Sequence, residues 1–297
     1  MERELLDQSF LDEEAILRAK SIGHSFRQGK DVSNEIAGEI CKYRFYHSIE
    51  VCPGFKTSSF VPWAPDFQNA FYAAAENVEF AGKRVLDIGC RDGAMLLFAE
   101  ERGAAELIGI DNDPSPGLAN FIVPFKESKI KVFGANIYEL TPDVLGEFDV
   151  VICCGLLYHL RYPMLGIKRI ADLLTDDGKI IMETALIEAL GDMPILFNPY
   201  GEQSPFDSSC PSFFNLAGLA NAFTQASLSR PVILKEFNVS FFDATERFRQ
   251  LGNIAPADFR NVRILRTIVE AKKTSAADVG LEKYFEGQHK HYSTGSF

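Results

Sequence analysis

The sequence predicts an α/β fold: a seven-stranded, mostly parallel sheet with helices on both faces, a helical N-terminal extension and an insertion after the fifth strand. Three observations carry this expectation. Between residues 84 and 184, short and nearly continuous apolar runs alternate with helix-period segments, the pattern of strands buried on both faces. The first run, in RVLDIGCRDG from Arg84 to Gly93, opens directly into a glycine turn and a helix start. The later runs end at Asp111, near Asn136 and at Gly155, on the carboxyl edge where such sheets bind ligands.

Composition sets the limits. With 297 residues the chain has room for one large domain or for a domain with a long extension, and a hydrophobic fraction of 46% suits a real core. No stretch reaches the roughly 18–20 unbroken apolar residues of a membrane span, so no membrane partner is expected. The acidic, amphipathic start MERELLDQSFLDEEA is unlike a secretory or transit peptide and points to the cytoplasm. Cys41, Cys52, Cys90, Cys153, Cys154 and Cys210 form no C-x-x-C pair, so they read as buried thiols, with no metal and no disulfide. A net charge of -11 disfavours nucleic acid, and an RNA substrate would need a local basic patch.

Each element follows in order. Up to about residue 45, Leu5, Leu6, Phe10, Leu11, Ile16 and Leu17 recur at helical intervals, and 33–46 is more weakly helical. A loop with Pro53, Gly54, Pro62 and Pro65 leads to a helix over 65–80 with Phe67, Ala70, Phe71 and Ala74 on one face. After the first strand, helix 94–102 closes at Gly103. Strands follow at 106–110, 130–134 and 148–153, then a helix over 163–174 with Pro163 at its start and Ile167, Ile170, Ala171 and Leu174 along one face. A fifth strand at 179–184 follows the turn Asp176-Asp177-Gly178. Residues 185–211, with Pro194, Pro199, Gly201, Pro205 and Pro211, break the rhythm and read as a lid or substrate wall. A helix over 213–226 and strands at 232–241 and 261–271 complete the sheet. The tail, polar at 274–277 and 293–296, is expected to be loose, and its His289 and His291 are assigned no role. The chain thus divides into an extension over 1–80, a ligand-binding domain over 81–272 and a tail over 273–297.

The corner D-x-G-x-x-x-G is shared by several Rossmann-like folds. The dinucleotide fingerprint is absent, because position 91 holds Arg91 instead of a second glycine. Asp111 lies at the end of the second strand, where a carboxylate accepts both hydroxyls of a ribose and disfavours a 2′-phosphate.

Together VLDIGCRDG, IGIDND, GANIYEL and FDVVICCGLLYHL resemble motifs I to IV of the class I S-adenosylmethionine-dependent methyltransferases, over roughly residues 80–185. The resemblance implies S-adenosyl-L-methionine as cofactor. It places Asp87, Gly89 and Gly93 around the methionine end, with Cys90 in the same cofactor-binding loop, Asp111 and Asn112 on the ribose, and Asn136 and Ile137 beside the adenine. Cys154 and Tyr46 join the cofactor set, with Tyr46 and His47 folding over the pocket or packing between domains. Two positions depart from the pattern: Arg91 replaces a usual glycine, and Asn136 a common aspartate. FYHSIEVCPGFKTSSF, GLLYHLRYPM and METALIEA are similar to the tRNA wobble-uridine carboxymethyltransferase group and its methyltransferase relatives. That group binds a carboxylated cofactor through a basic residue of its extension. The lysine-containing segment has no counterpart here, so ordinary S-adenosylmethionine is expected.

At the end of the fourth strand, His159 is the candidate general base and Tyr158 the residue that orients the acceptor, against a reading in which both cap and pack the strand. Glu183 is the candidate holder of an acceptor hydroxyl or amine, or a plain surface carboxylate. Arg161 reads as a solvated arginine before an anion ligand, and Phe213, Phe214 and Asn215 as packing for a helix start. The expected function is methylation of a small-molecule acceptor at oxygen. The alternative is a tRNA wobble-uridine modifying enzyme. A non-catalytic binding protein is disfavoured by the intact Asp87, Gly89, Gly93 and Asp111 set. The acceptor's identity and a homo-oligomer are left open.

Overall fold

The computed structural model describes residues 6–188, 191–237 and 263–274. Two short strands, β1 (Glu50–Cys52) and β2 (Phe55–Lys56), form a hairpin in the N-terminal extension. The main sheet contains β3 (Arg84–Ile88), β4 (Glu106–Asp111), β5 (Lys131–Gly134), β6 (Phe148–Cys154), β7 (Leu174–Glu188), β8 (Leu196–Phe197), β9 (Phe213–Phe214), β10 (Val232–Phe237) and β11 (Arg263–Lys272). Seven of these lie side by side in the order β5-β4-β3-β6-β7-β11-β10, while β8 and β9 form a short annex paired to β7. The five strands from β5 to β7 are parallel, and β11 is antiparallel to both its neighbours. This is the order and pairing of a Rossmann-like α/β sheet.

The helices are α1 (Glu13–Arg27), α2 (Ser33–Ile40), α3 (Ala64–Ala74), α4 (Ala94–Glu101), α5 (Val123–Lys126), α6 (Pro142–Leu145), α7 (Pro163–Asp172) and α8 (Leu216–Gln225). Alternate strand residues enter two separate cores. Val85, Val150, Ile152, Ile181 and Ile268 pack with α1, α3 and α4, whereas Leu86, Val151, Cys153, Ile180, Met182 and Val269 pack with α7 and α8. Both faces are therefore covered, which explains the near-continuous apolar runs.

The extension is tied to the domain by several contacts. Asp12 caps α1 by accepting from the Ala15 N–H at 3.0 Å. Gly23 lies so close to α5 that a Cβ there would sit 2.3 Å from the Phe125 carbonyl oxygen. Asp7 exchanges two backbone hydrogen bonds of 2.8 and 2.7 Å with Gly134 and so prolongs the outer edge of β5.

Several expectations need correction. The extension is not wholly helical, because Glu50–Lys56 turns into a hairpin and Phe45 bridges to Ser59. The helix expected over 65–80 stops at Ala74, and the one over 33–46 stops at Ile40. A wide helical turn over Leu118–Ile122 runs into α5, although Pro116, Gly117 and Pro124 interrupt any helical period in the sequence. Residues 185–188 belong to β7 and not to the insertion, since β11 gives them a ladder partner as far as Arg263↔Glu188 and Phe206 and Phe213 cover Ala185 and Ile187. The turn at 176–178 is absorbed into β7 as an irregularity opposite Phe148–Val150. Helix α8 begins three residues later than expected: Phe213–Phe214 pair as a strand, and Asn215 caps the helix through Gly218 N–H at 2.8 Å. The sheet has nine strands, not seven, once β8 and β9 are included. Cys41 is exposed and Cys154 half-buried, while the other four cysteines are buried and all six are free thiols. Leu5, residues 238–241 and the tail from 275, with His289 and His291, lie outside the described residues. Among the described residues no helix is long and apolar enough to cross a membrane.

Candidate active site

The carboxyl ends of β3, β6 and β7 and the lead-in around Tyr46 line a cleft of about 210 Å³ that opens to solvent. Its floor is the turn after β3. Gly89 takes φ +84, a left-handed conformation open to glycine, while its N–H bonds to the Ile110 carbonyl at 2.7 Å. Gly93 caps α4 at φ +69, and a Cβ there would come within 2.8 Å of Leu118. Arg91 also has positive φ, +45, a strain of about 1–3 kcal/mol for a residue with a side chain. Its N–H holds Asp111 Oδ2 at 2.9 Å, and its guanidinium binds the Asp113 carboxylate and carbonyl. Asp111 Oδ1 accepts from Asp113 N–H at 2.9 Å, so each oxygen keeps a lone pair for a ligand.

Asp92, wholly buried, fastens the extension to this turn. Its Oδ2 accepts from the backbone N–H groups of Tyr46 and His47, the latter at 2.9 Å. This clasp is why Tyr46 and His47 line the cleft.

The acidic floor has a distinct electrostatic state. Burial first, and the neighbouring Asp111 second, push the Asp87 carboxyl up to about 8. Asp111 is also raised by burial, against its backbone donors. Burial likewise raises the Cys90 and Cys154 thiols well above their usual range, which leaves them inert. The Asp87 shift has a testable sign. Above about pH 4 the unfolded chain ionises this carboxyl while the folded one keeps its proton, so the folded state binds more protons. Without ligand, stability should therefore fall as pH rises from about 4 towards 8, by at most about 1.4 kcal/mol per pH unit from this group. Asp87→Asn should remove that slope in urea titrations at successive pH values; an unchanged slope would assign it to other groups.

The back wall is an ion pair inside an aromatic cage. Arg266 Nε and Nη2 donate to the two Glu183 oxygens at 2.6 Å each, and the residues are only 8% and 3% exposed. The guanidinium lies 4.3 Å from the Phe67 ring centre, 4.7 Å from Tyr158 and 5.6 Å from Phe206. Burial opposes the Arg266 charge, but Glu183 and Tyr158 more than offset it and hold its pKa above the ordinary value. Burial raises the Tyr158 phenol, so that group stays protonated. His159, on the turn Leu157–His159, faces the cleft with Nδ1 3.2 Å from the Ser209 carbonyl oxygen. Its surroundings lower its pKa, burial being the main cause, so the ring is neutral near pH 7.

The cleft thus brings together Tyr46, Asp87, Gly89, Cys90, Cys154, Tyr158, His159 and Glu183. Asp111, Asn112, Asn136 and Ile137 do not line it. They form an adjoining shelf at the ends of β4 and β5, where Ala135 N–H bonds the Asp111 carbonyl at 2.9 Å and Asn136 caps the next turn through Tyr138 N–H at 3.0 Å. Arg161 is exposed and away from the cleft. Sequence reasoning missed Arg266, Asp92 and Phe67. A signal existed for Arg266: an arginine inside the apolar run RILRTIVEAK, like Glu183 inside IIMETALI, demands a buried opposite charge. Glu183 pairs with Ile268 and Arg266 with Ala185, so the two side chains are diagonal neighbours on one face.

A family described as a methyltransferase domain matches residues 67–229. A tRNA U34 carboxymethyltransferase of Campylobacter hominis is 34% identical over 128 residues, 41% of this chain and 42% of the relative. Its namesake from Helicobacter pylori is 31% identical over 120 residues, 38% of this chain and 44% of the relative. The matched stretch therefore spans less than half the length of either relative. Among solved structures, the N-terminal domain of EvdMO1 with SAH and D-fucose aligns at a TM-score of 0.53 and 18% identity, covering 90% of this chain and 100% of that one. The [4+2]-cyclase SpnF aligns at 0.50 and 14%, covering 86% and 97%. At such identities the likeness concerns the fold.

Proposed function

Because the chain belongs to the methyltransferase-domain family, matched over more than half its length, we propose that it transfers a methyl group from S-adenosylmethionine to an acceptor entering beside Tyr158 and His159. The observation that carries this reading is the pre-set Asp111 carboxylate. Two backbone N–H groups fix its orientation, and its remaining lone pairs suit a vicinal diol next to the cleft. When bound, the cofactor supplies an electrophilic methyl group on a sulfonium sulfur. Asp111 and Asn112 would hold the ribose, Asp87, Gly89 and Cys90 the methionine end, Gly93 the helix start behind it, and Asn136 and Ile137 the adenine edge. Tyr46 and Cys154 would close the pocket walls around the ligand. Tyr158, His159 and Glu183 would meet the acceptor, with Glu183 acting through its pair with Arg266. Exclusion of water and alignment are most of what such a transfer asks of a protein.

Ordinary S-adenosylmethionine fits better than a carboxylated form. Among the described residues, both arginines lining the cleft are already paired, Arg91 with Asp113 and Arg266 with Glu183, which leaves no unpaired guanidinium among them for a further carboxylate.

For the acceptor, the relatives' names support a tRNA wobble uridine. The net charge of -11 supports a second reading, a small molecule methylated at oxygen. Incubating the full chain with methyl-labelled S-adenosylmethionine and unmodified tRNA separates them. The first reading expects label in a uridine-derived nucleoside and salt-sensitive tRNA binding. An unlabelled tRNA that does not bind at low salt would overturn it in favour of the second. Absence of S-adenosylmethionine binding by calorimetry would overturn both.

A further inference from the structure

His159 is gripped from one side by a turn of the insertion. Its Nδ1 lies 3.2 Å from the Ser209 carbonyl oxygen, 3.3 Å from Ser209 Oγ and 3.5 Å from Cys210 Sγ. A carbonyl oxygen can only accept, and Ser209 Oγ and Cys210 Sγ both direct their protons to Asp207 Oδ1, so the contact assigns a proton to Nδ1. Asp207 builds the turn: its Oδ1 accepts from Ser209 N–H at 2.7 Å, from Ser209 Oγ and from Cys210 Sγ at 3.7 Å. The turn is pinned to the segment carrying His159 by Ser212, whose Oγ donates to the Leu157 and Leu160 carbonyls at 3.2 and 2.8 Å, and whose N–H bonds the Tyr158 carbonyl at 3.3 Å. Ser204 Oγ holds the Cys210 carbonyl at 2.9 Å. The Tyr158 ring packs 4.5 Å from the imidazole.

We propose that the Asp207–Cys210 turn is a positioning element that holds His159 as the Nδ1–H tautomer, so that Nε2 is the basic atom offered to the acceptor. This rests on the methyl-transfer reading and specifies its acceptor: a hydroxyl or an imide N–H that loses a proton as it is methylated. The acceptor's O–H or N–H bond breaks and its proton goes to Nε2. The electron pair left on that atom forms the bond to the methyl carbon, and the pair of the broken carbon–sulfur bond stays on sulfur. A thioether or a tertiary amine would gain nothing from the arrangement. Among the described residues, the charged and titratable groups facing the imidazole are Asp207 and Cys210 from the turn, Tyr158 beside it, and the mutually paired Glu183 and Arg266 from β7 and β11.

Nitrogen-15 spectra of the full chain, labelled at histidine and assigned with His159→Gln, read the tautomer without any turnover. The wild type should show Nδ1 protonated and Nε2 bare. Asp207→Ala should move the ring towards the Nε2–H form. Asp207→Asn, which keeps an accepting oxygen for Ser209 N–H, and Ser209→Ala, which keeps the carbonyl, should both retain the wild-type tautomer. An Nε2–H ring in the wild type overturns the proposal. In turnover, kcat should rise with pH along a single acid limb below the ordinary histidine range. His159→Gln should abolish that limb and lower kcat about 100-fold. Asp207→Ala should lower kcat at least tenfold with the KM for S-adenosylmethionine unchanged. A kcat and pH profile indifferent to His159→Gln would overturn the positioning role even with the tautomer as expected. Failure of the methyl-transfer reading would instead appear as no turnover in any form, with the tautomer pattern intact.

Discussion

Arg266→Met should destabilise the fold by about 3–5 kcal/mol, because it leaves Glu183 as an unpaired carboxylate in the interior. The geometry explains the size of the effect. Both oxygens of Glu183 receive their hydrogen bonds from this one guanidinium, and Phe67, Tyr158 and Phe206 crowd around it without offering an equivalent pair of donors. For a domain of this size each kcal/mol moves the melting temperature by roughly 2–4 °C, so a loss near 10 °C is expected in thermal scans. The double variant Glu183→Gln/Arg266→Met should recover much of it, since two neutral groups of similar volume replace the pair. Denaturant titration of the four forms of the cycle gives the coupling directly. A loss below about 1 kcal/mol in the single variant would mean that water reaches the pair and that the back wall of the cleft is not dry.

The second large effect concerns the ligand and leaves the fold intact. Asp111→Ala removes a half-buried carboxylate at the end of β4, and should weaken S-adenosylmethionine binding by about 10- to 100-fold, the loss of one or two hydrogen bonds to a charged acceptor. Asp111→Asn should be nearly as harmful. Both oxygens of the native carboxylate accept from backbone N–H groups, those of Arg91 and Asp113, so an amide nitrogen must face one of these donors. Calorimetry with S-adenosylmethionine checks this, with circular dichroism showing that the chain is still folded. Unaltered affinity in both variants would place the ribose elsewhere and remove the main support for the cofactor site.

Most of the parallel core was legible because its signals are local. A strand buried on both faces must be apolar at successive positions, and a turn that brings backbone to a ligand needs glycine at positive φ. Both requirements are written in VLDIGCRDG, IGIDND and FDVVICC. Pro163 at the start of α7 and Asn215 at the cap of α8 are local in the same sense. Element ends were less legible, because their causes lie across space. β7 continues through Ala185–Glu188 only because β11 and the Phe206–Phe213 cluster cover those residues. The helical segment over 118–126 survives its prolines because α1 packs on it, with Gly23 against Phe125.

By itself, then, the sequence determined the alternating strand–helix order, the glycine corner after the first strand and the acid at the end of the second, since each depends on neighbours within one or two turns of chain. The tertiary structure alone decided the identity of the cleft's walls. Arg266 meets Glu183 across 83 positions, Asp92 captures the backbone of Tyr46 and His47 across 45 or 46, and Ser209 reaches His159 across 50. Such contacts form where a buried charge or donor finds its complement. Which complement comes within reach is fixed by strand register and crossover geometry, which no local pattern encodes.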